Sequence, residues 1–331
     1  MLLKHIILSS PSTDVRIKSP GTLVISTYVA CPDIRVKITT DLKSPQMGKT
    51  GQLIWINIES KFRIGGSVLA QAYAQQGNDT PSLDKASVLK AAFNTTQSLL
   101  VENKLLAGHD ISDGGLVVCL MEMAFAGLCG LKIDLTEVCS KLPKESLRSN
   151  DIDDAKLLLL FAEECGWVLE VSTENMGDVL NEFHKNGVPA YHIGQATGCG
   201  LKSPVHISCC GDKLISGSCL TFFRQWERTS FEIEKLQMNR DCAIEEFATY
   251  DYRTGPVYKC TFNPDMEITL NRITAPIRVA VIREEGTNGD REMIATLIAA
   301  KFEVHDVAMD DLLKQRTSLD QYRGVVFPGT H

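Results

Sequence analysis

The sequence has no apolar run approaching the roughly 20 residues that a membrane span needs, no Cys-x-x-Cys pair among its eleven cysteines, and no excess of basic charge. The opening Met1-Leu2-Leu3-Lys4-His5-Ile6-Ile7-Leu8 turns polar too quickly for a secretory signal, so a cytosolic location is expected. An odd number of thiols without an export signal argues against a disulfide framework, and the missing Cys-x-x-Cys spacing argues against zinc. The cysteines are therefore expected to be reduced, with Cys119 and Cys129 as small core residues in or just after a very apolar segment. A formal charge of -7 and a pI near 5.6 give no long-range attraction to phosphate backbones or anionic lipid. Nucleic-acid and membrane partners are not expected, and any nucleotide must be held by local groups.

What is present is the composition of a globular protein: 331 residues, 44% hydrophobic and 23% charged, enough for roughly two domains. Residues 1 to 17 have no clear period, whereas the β-branched run Leu23 to Val29 reads as a strand. Leu53 to Ile58 is almost wholly apolar and reads as a strand buried on both faces. Gly65-Gly66-Ser67 then opens a helix to about Gln76, and a second helix from Asp84 to Asn103 carries Leu89, Ala92, Phe93, Thr96 and Leu100 on the face expected to pack. Further strands are expected at Leu131 to Leu135, Trp167 to Val171, Tyr191 to Gly194, Val205 to Ser208 and Lys213 to Ile215. Helices are expected at Asp154 to Glu164, Met176 to Lys185 and Ser218 to about Glu246. Residues 251 to 275 have Gly, Pro and aromatics without period, as a linker would. Beyond them the pattern restarts with strand Ile277 to Ile282, helix Arg291 to Ala300, strand Glu303 to Val307, a short helix and strand Gly324 to Phe327. That is the opening of a doubly wound parallel sheet.

The most informative string is Gly108-His109-Asp110-Ile111-Ser112-Asp113-Gly114-Gly115, ahead of the apolar helix Leu116 to Phe125. A glycine-bearing loop at a helix N-terminus offers unpaired N–H groups to phosphate, and carboxylates there can hold Mg²⁺. The alternative is that Ser112 or Asp113 caps the helix and the glycines make a tight turn. Gly65-Gly66-Ser67 reads as a turn or cap, Glu163 and Glu164 as helix-end charges, and Thr287 or Asn288 as a cap with Asp290 and Glu292 complementing the helix dipole.

The string from His109 to Gly115 resembles a motif of the phosphoribosylformylglycinamidine synthase family, and the likeness continues through Met121 to Gly127. Aminoimidazole ribonucleotide synthetase and thiamine-monophosphate kinase have shorter versions. Similarity is visible also in Pro20-Gly21-Thr22-Leu23-Val24-Ile25-Ser26, Leu69-Ala70-Gln71, Phe161-Ala162-Glu163-Glu164 and Arg283 to Met293, in order along the chain. The resemblance implies an α/β chain with four parts. Residues 1–45 would be the remnant of a synthetase N-domain and 46–235 a C-domain of the aminoimidazole-ribonucleotide-synthetase-like fold. Residues 236–275 would be a linker and 276–331 the truncated start of a doubly wound, flavodoxin-like class I glutamine amidotransferase domain. It also implies that Asp110 is a Mg²⁺ ligand and Ser112 a nucleotide contact at an auxiliary ATP/ADP site, and that His109 hydrogen-bonds structurally.

The family's reaction amidates formylglycinamide ribonucleotide with ammonia from glutamine at the expense of ATP, so those small molecules and the rest of the synthetase are the implied partners. This chain holds no catalytic residue of that reaction and is expected to be inactive alone. Thr330 stands where the family has a second glycine, and none of Cys199, Cys209, Cys242 or Cys260 shows the strand-to-helix turn that activates a glutaminase thiol. A non-catalytic fragment or scaffold is the competing reading.

Overall fold

The computed structural model describes residues 3–10, 13–20, 25–59, 61–141, 152–253, 255–263 and 275–329. They fall into two compact units, Met1–Arg253 and Thr254–His331.

The first unit opens with β1 (Leu3–Ser10) and β2 (Thr13–Pro20), paired antiparallel with Ile6 opposite Ile17. The strand expected at Leu23 to Val29 is corrected: Leu23 and Val24 lie outside the described residues, and Ile25 to Val29 have no regular structure. Tyr28 is 93% and Val29 95% exposed. Strand propensity is a preference for a packed, pleated surface, and no described strand pairs with this run.

The body of the unit is built in order from β3 (Gly51–Asn57), α1 (Val68–Ala72), α2 (Ala86–Val101), β4 (Leu105–Asp110), α3 (Gly115–Gly127), β5 (Gly130–Asp134), α4 (Thr136–Ser140) and α5 (Ile152–Phe161). It continues with β6 (Gly166–Val171), α6 (Met176–Lys185), β7 (Ala190–Thr197), β8 (Pro204–Cys209), β9 (Asp212–Ser218), α7 (Cys219–Gln237) and α8 (Arg240–Ala248). Strands β3 to β9 form one mixed sheet in the order β4-β6-β3-β7-β5-β8-β9, in which every pairing is antiparallel except β5 with β8.

Helices cover both faces of that sheet, which is why β3 is buried along its whole length. Its alternation survives beneath the uniform apolarity: Leu53 and Trp55 join the core under α3 and α5, while Ile54 and Ile56 join the core under α2 and α6. Leu116, Leu120 and Met123 of α3 are fully buried, as a helix apolar on nearly every side requires. On α2 Ala92, Thr95 and Leu99 are buried and Leu89 and Leu100 pack beside them, so most of the expected face is in place; Phe93, 56% exposed, is the exception.

The packing of this unit extends past both expected boundaries. Glu170 on β6 is completely buried, and its carboxylate accepts the N–H groups of Lys43 at 2.7 Å and Ser44 at 2.9 Å. Gly51 makes room for it, since a Cβ there would lie 2.0 Å from Glu170 Oε1. Leu42 is buried in the α3 core, so residues 42–45 pack with the sheet rather than apart from it. At the other end the expected helix Ser218 to Glu246 is two helices broken at Asn239, whose Oδ1 accepts from the N–H groups of Asp241 and Cys242. Phe231 of α7 stacks on Phe247 of α8 with centroids 4.2 Å apart, which ties the first part of the expected linker to the preceding helix.

The second unit contains β10 (Arg278–Arg283), α9 (Asp290–Ala299), β11 (Glu303–Ala308), α10 (Met309–Leu313) and β12 (Gly324–Val326). The three strands are parallel in the order β11-β10-β12, the expected start of a doubly wound sheet. Neither Thr287 nor Asn288 caps α9, which corrects that expectation. Gly289 occupies the cap in the left-handed region at φ 81°, while Thr287 Oγ1 accepts from Glu284 N–H. Asp290 and Glu292 do lie in the first turn, where the dipole favours them.

Two stability predictions follow from this packing. Leu120→Ala should cost about 2–5 kcal/mol in urea unfolding, because α3 is held on several sides and cannot collapse into the space. Within the same core the Arg63 guanidinium and the Glu164 carboxylate are both buried and joined by two contacts of 2.7 and 2.8 Å. Glu164→Gln should cost about 3–5 kcal/mol, since it removes the buried counter-charge of the guanidinium and leaves only the more exposed Asp84 at 4.0 Å; a change below 1 kcal/mol in the same unfolding experiment would show that water reaches Arg63.

Candidate functional site

The string 108–115 spans the end of β4 and the start of α3, so its first residues are strand rather than loop. His109 is mostly buried, and Asp110 projects with a side chain 72% exposed. His109 Nδ1 lies 3.0 Å from Asp110 Oδ1, and Nε2 lies 2.9 Å from Glu122 Oε2 on α3. Both ring nitrogens face a carboxylate, so the imidazole lies between the two acids and orients them, with one N–H to give when the ring is neutral. One oxygen of Asp110 is left toward solvent. Ser112 and Asp113 are exposed beyond it.

Neither Ser112 nor Asp113 caps α3. Gly114 takes the cap position in the left-handed region at φ 85°, and no side chain of the string accepts from the helix. Its N–H is donated instead to Glu163 Oε1 at 2.8 Å, and the same oxygen accepts the N–H of Val68 at 2.9 Å. One carboxylate thus holds the N-termini of α3 and α1 together. Gly115 is needed for close approach, because a Cβ there would stand 2.7 Å from the backbone carbon of Phe161.

The consequence for ligand binding is electrostatic. A carboxylate already sits on the N–H of Gly114, the cap residue of α3, beside the place where a phosphate drawn to the helix dipole would go. The exposed side chains of the string are those of Asp110, Ser112 and Asp113. The N-terminus of α1 is likewise filled: Ser67 Oγ accepts from Ala70 N–H at 3.2 Å, in keeping with a cap. A cavity of about 450 Å³ lined by Lys61, Arg63, Gly65, Asn78 and Asp154 lies nearby in the chain, but Asp110, Ser112 and Asp113 are not part of its wall.

Reading Glu163 and Glu164 as ordinary helix-end charges is corrected by these contacts. A signal for them existed: both follow the C-terminus of α5, where the helix dipole disfavours carboxylates, so they needed compensating donors. The cysteines of the α3 core fit the small-residue reading, as burial pushes the Cys129 thiol up to about 12 and the Cys219 thiol up to about 11, far from a nucleophile at neutral pH.

Residues 49–206 match the family model described as AIR synthase related protein, C-terminal domain, and residues 276–331 match the CobB/CobQ-like glutamine amidotransferase domain. A phosphoribosylformylglycinamidine synthase of Drosophila melanogaster is 51% identical over 313 residues, 95% of this chain and 23% of that protein. The Homo sapiens enzyme of the same name is 40% identical over 316 residues, 95% of this chain and 22% of its own length. A solved Thermotoga maritima PurL complexed with ATP aligns with 56% of this chain and 27% of its own at 12% identity and a TM-score of 0.40. The chain thus spans under a quarter of the length of the curated fly and human relatives. By its sequence and by the two domains it joins, the chain belongs to the phosphoribosylformylglycinamidine synthase family.

Proposed function

We propose that the chain acts as a segment of an ATP-dependent amidotransferase of purine biosynthesis, one that converts formylglycinamide ribonucleotide to the formylglycinamidine with ammonia from glutamine. The observation that carries this is 51% identity across 95% of the chain, through both domains and the segment between them. In this reading residues 46–235, with the packed flanks described above, are the synthetase C-domain. Residues 1–45 belong to the preceding domain, 236–275 connect, and 276–331 begin the glutaminase. The cytosolic location belongs to the same proposal.

Asp110 and Ser112 are the residues proposed to face an auxiliary ATP or ADP. Mg²⁺ keeps several waters and takes one or two carboxylates together with phosphate oxygens. An exposed carboxylate with one oxygen steadied by His109 and the other open fits one corner of such a shell, and the nearby Ser112 hydroxyl is free to donate to a nucleotide oxygen. The ion would supply neutralisation of phosphate charge. His109 and Glu122 hold Asp110 in place, and Glu163 keeps the loop closed against α5, so the protein's own part is orientation. The remaining ligands would come from parts of the enzyme outside these residues.

In the full-length enzyme, Asp110→Ala should lower the nucleotide that copurifies and lower the melting temperature, with kcat less affected than either. Loss of a ligand bound only by the folded state removes RT ln(1 + [L]/Kd), about 2.7 kcal/mol at a hundredfold excess over Kd. Nucleotide content by chromatography and a thermal melt check it. Wild-type values for both would remove Asp110 from the ligand set.

A further inference from the structure

Three cysteine sulfurs come together at one end of the sheet, and the family reading assigns them nothing. Cys139 is on α4, Cys209 ends β8, and Cys210 follows it in the turn. Their Sγ atoms all lie within 4.8 Å of one another, and those of Cys209 and Cys210 are 3.8 Å apart. Of the eleven cysteines, these are the ones that cluster with metal-ligand spacing among the described residues.

The topology explains the meeting. β5 and β8 are the parallel pair of the sheet, with Asp134 beside Ser208, so both chains leave at the same end. From β5 the chain turns into α4, and from β8 it turns through Cys210-Gly211 into β9. Polar contacts then fasten the two exits. Thr136 Oγ1 accepts the Cys210 N–H at 2.8 Å, and Leu135 N–H donates to Ser208 O at 2.9 Å. Lys156 of α5, itself buried, reaches Asp212 at 2.5 Å and Asp153 at 2.7 Å and so pins a third element to the hairpin. Cys210 stands in the left-handed region at φ 53°, in a two-residue hairpin loop where Asn or Gly is the usual occupant. A thiol thus stands at a position that local preference would give to another residue.

We propose that Cys139, Cys209 and Cys210 form a binding site for a thiophilic divalent ion of the zinc type, with three thiolates and a fourth, solvent-facing position. With a Zn–S distance of about 2.3 Å, sulfurs at the corners of a tetrahedron stand about 3.8 Å apart. The Cys209–Cys210 separation already has that value, and the third sulfur needs to close by about 1 Å or less. Cys209 is buried, Cys139 partly so, and Cys210 is exposed, which gives the ion a way in and leaves room for water in the fourth place. Each ligating thiol loses its proton to solvent as the S–H bond is replaced by a bond to the metal. The resulting site carries one net negative charge; burial raises the Cys139 and Cys209 thiols above the ordinary thiol value, and the metal charge, with the Lys156 ammonium beside Cys139, is what offsets it.

The test is titration of the reduced, metal-stripped 331-residue chain with Zn²⁺ under anaerobic conditions against a chromophoric chelator, and with Co²⁺ as a spectroscopic substitute. One equivalent should bind, and Co²⁺ should produce a thiolate-to-metal charge-transfer band in the near ultraviolet. Cys210→Ser should weaken Zn²⁺ by at least about 100-fold, beyond the cost of losing an outer-shell partner, and abolish the band. Cys242→Ser and Cys260→Ser, at exposed thiols outside the cluster, should leave both unchanged. Because Cys210 is exposed its variant should melt with the parent, and that melt keeps the comparison interpretable. Absence of binding, equal binding by Cys210→Ser, or loss of binding in a Cys242 or Cys260 variant would overturn the proposal. Failure here leaves the amidotransferase reading untouched, since that reading uses none of these thiols.

Discussion

The loop that carries Asp110 and Ser112 depends on two adjacent carboxylates that face different partners. Glu164 turns inward to the guanidinium of Arg63 and to that residue's own N–H, at 2.7 to 3.0 Å. Glu163 accepts from Gly114 and Val68. Because they are neighbours, neither can move without the other. Between them they join the segment before α1, the end of α5 and the entry to α3. Two helix N-termini and one buried cation are thereby neutralised from a single point, and a hydrogen bond to a charged group contributes about 1.5–3 kcal/mol where a neutral one contributes about 1. Glycines 114 and 115 are part of the same arrangement, since a Cβ at Gly114 would lie 2.4 Å from the Val118 side chain and one at Gly115 2.7 Å from the Phe161 backbone.

Glu170 repeats the device at the other side of the sheet, holding the N–H groups of Lys43 and Ser44 from a position of full burial. In both places a buried acid does work that a backbone ladder cannot do, because it satisfies donors at the ends of segments that approach the sheet from outside. The consequence is that the core is bounded by polar contacts at its rims and by apolar packing within, and that segments such as 42–45 are fixed to it although they carry little periodic signal.

What could be read from the sequence divides along the same line. Period-two and period-3.6 patterns report the residues that face a neighbouring layer, so β3, α3, α6 and the β-α-β start of the second unit were legible. The string at 108–115 was legible as a feature because glycine, acid and hydroxyl crowd together before an apolar helix. What was illegible depended on partners distant in sequence. Leu23 to Val29 has the composition of a strand and no partner among the described residues. On α2 the expected face holds except at Phe93, which is apolar and still lies outside the contact. The cap at α3 comes from Glu163, 49 residues away, so no local reading of Ser112 or Asp113 could find it. A search for Cys-x-x-Cys likewise misses a trio whose members are brought together only by a parallel strand pair.

The same distinction bears on how a nucleotide could be held here. A glycine-rich loop at a helix N-terminus suggests phosphate on the backbone N–H groups, and that inference treats those groups as empty. In this molecule an anion is already present at that place, supplied by the chain itself, and a second anion beside it would meet like charge in a partly dry setting. Binding by direct helix-dipole attraction is thus weakened. The alternative is a cation bridge: an ion between phosphate and carboxylate turns the acid at Asp110 from a repulsive neighbour into an attractive one. On the proposed reading a Mg²⁺-nucleotide complex therefore suits this loop better than a bare phosphate, and the contact of His109 with one Asp110 oxygen, which leaves the other open, would orient the carboxylate for it.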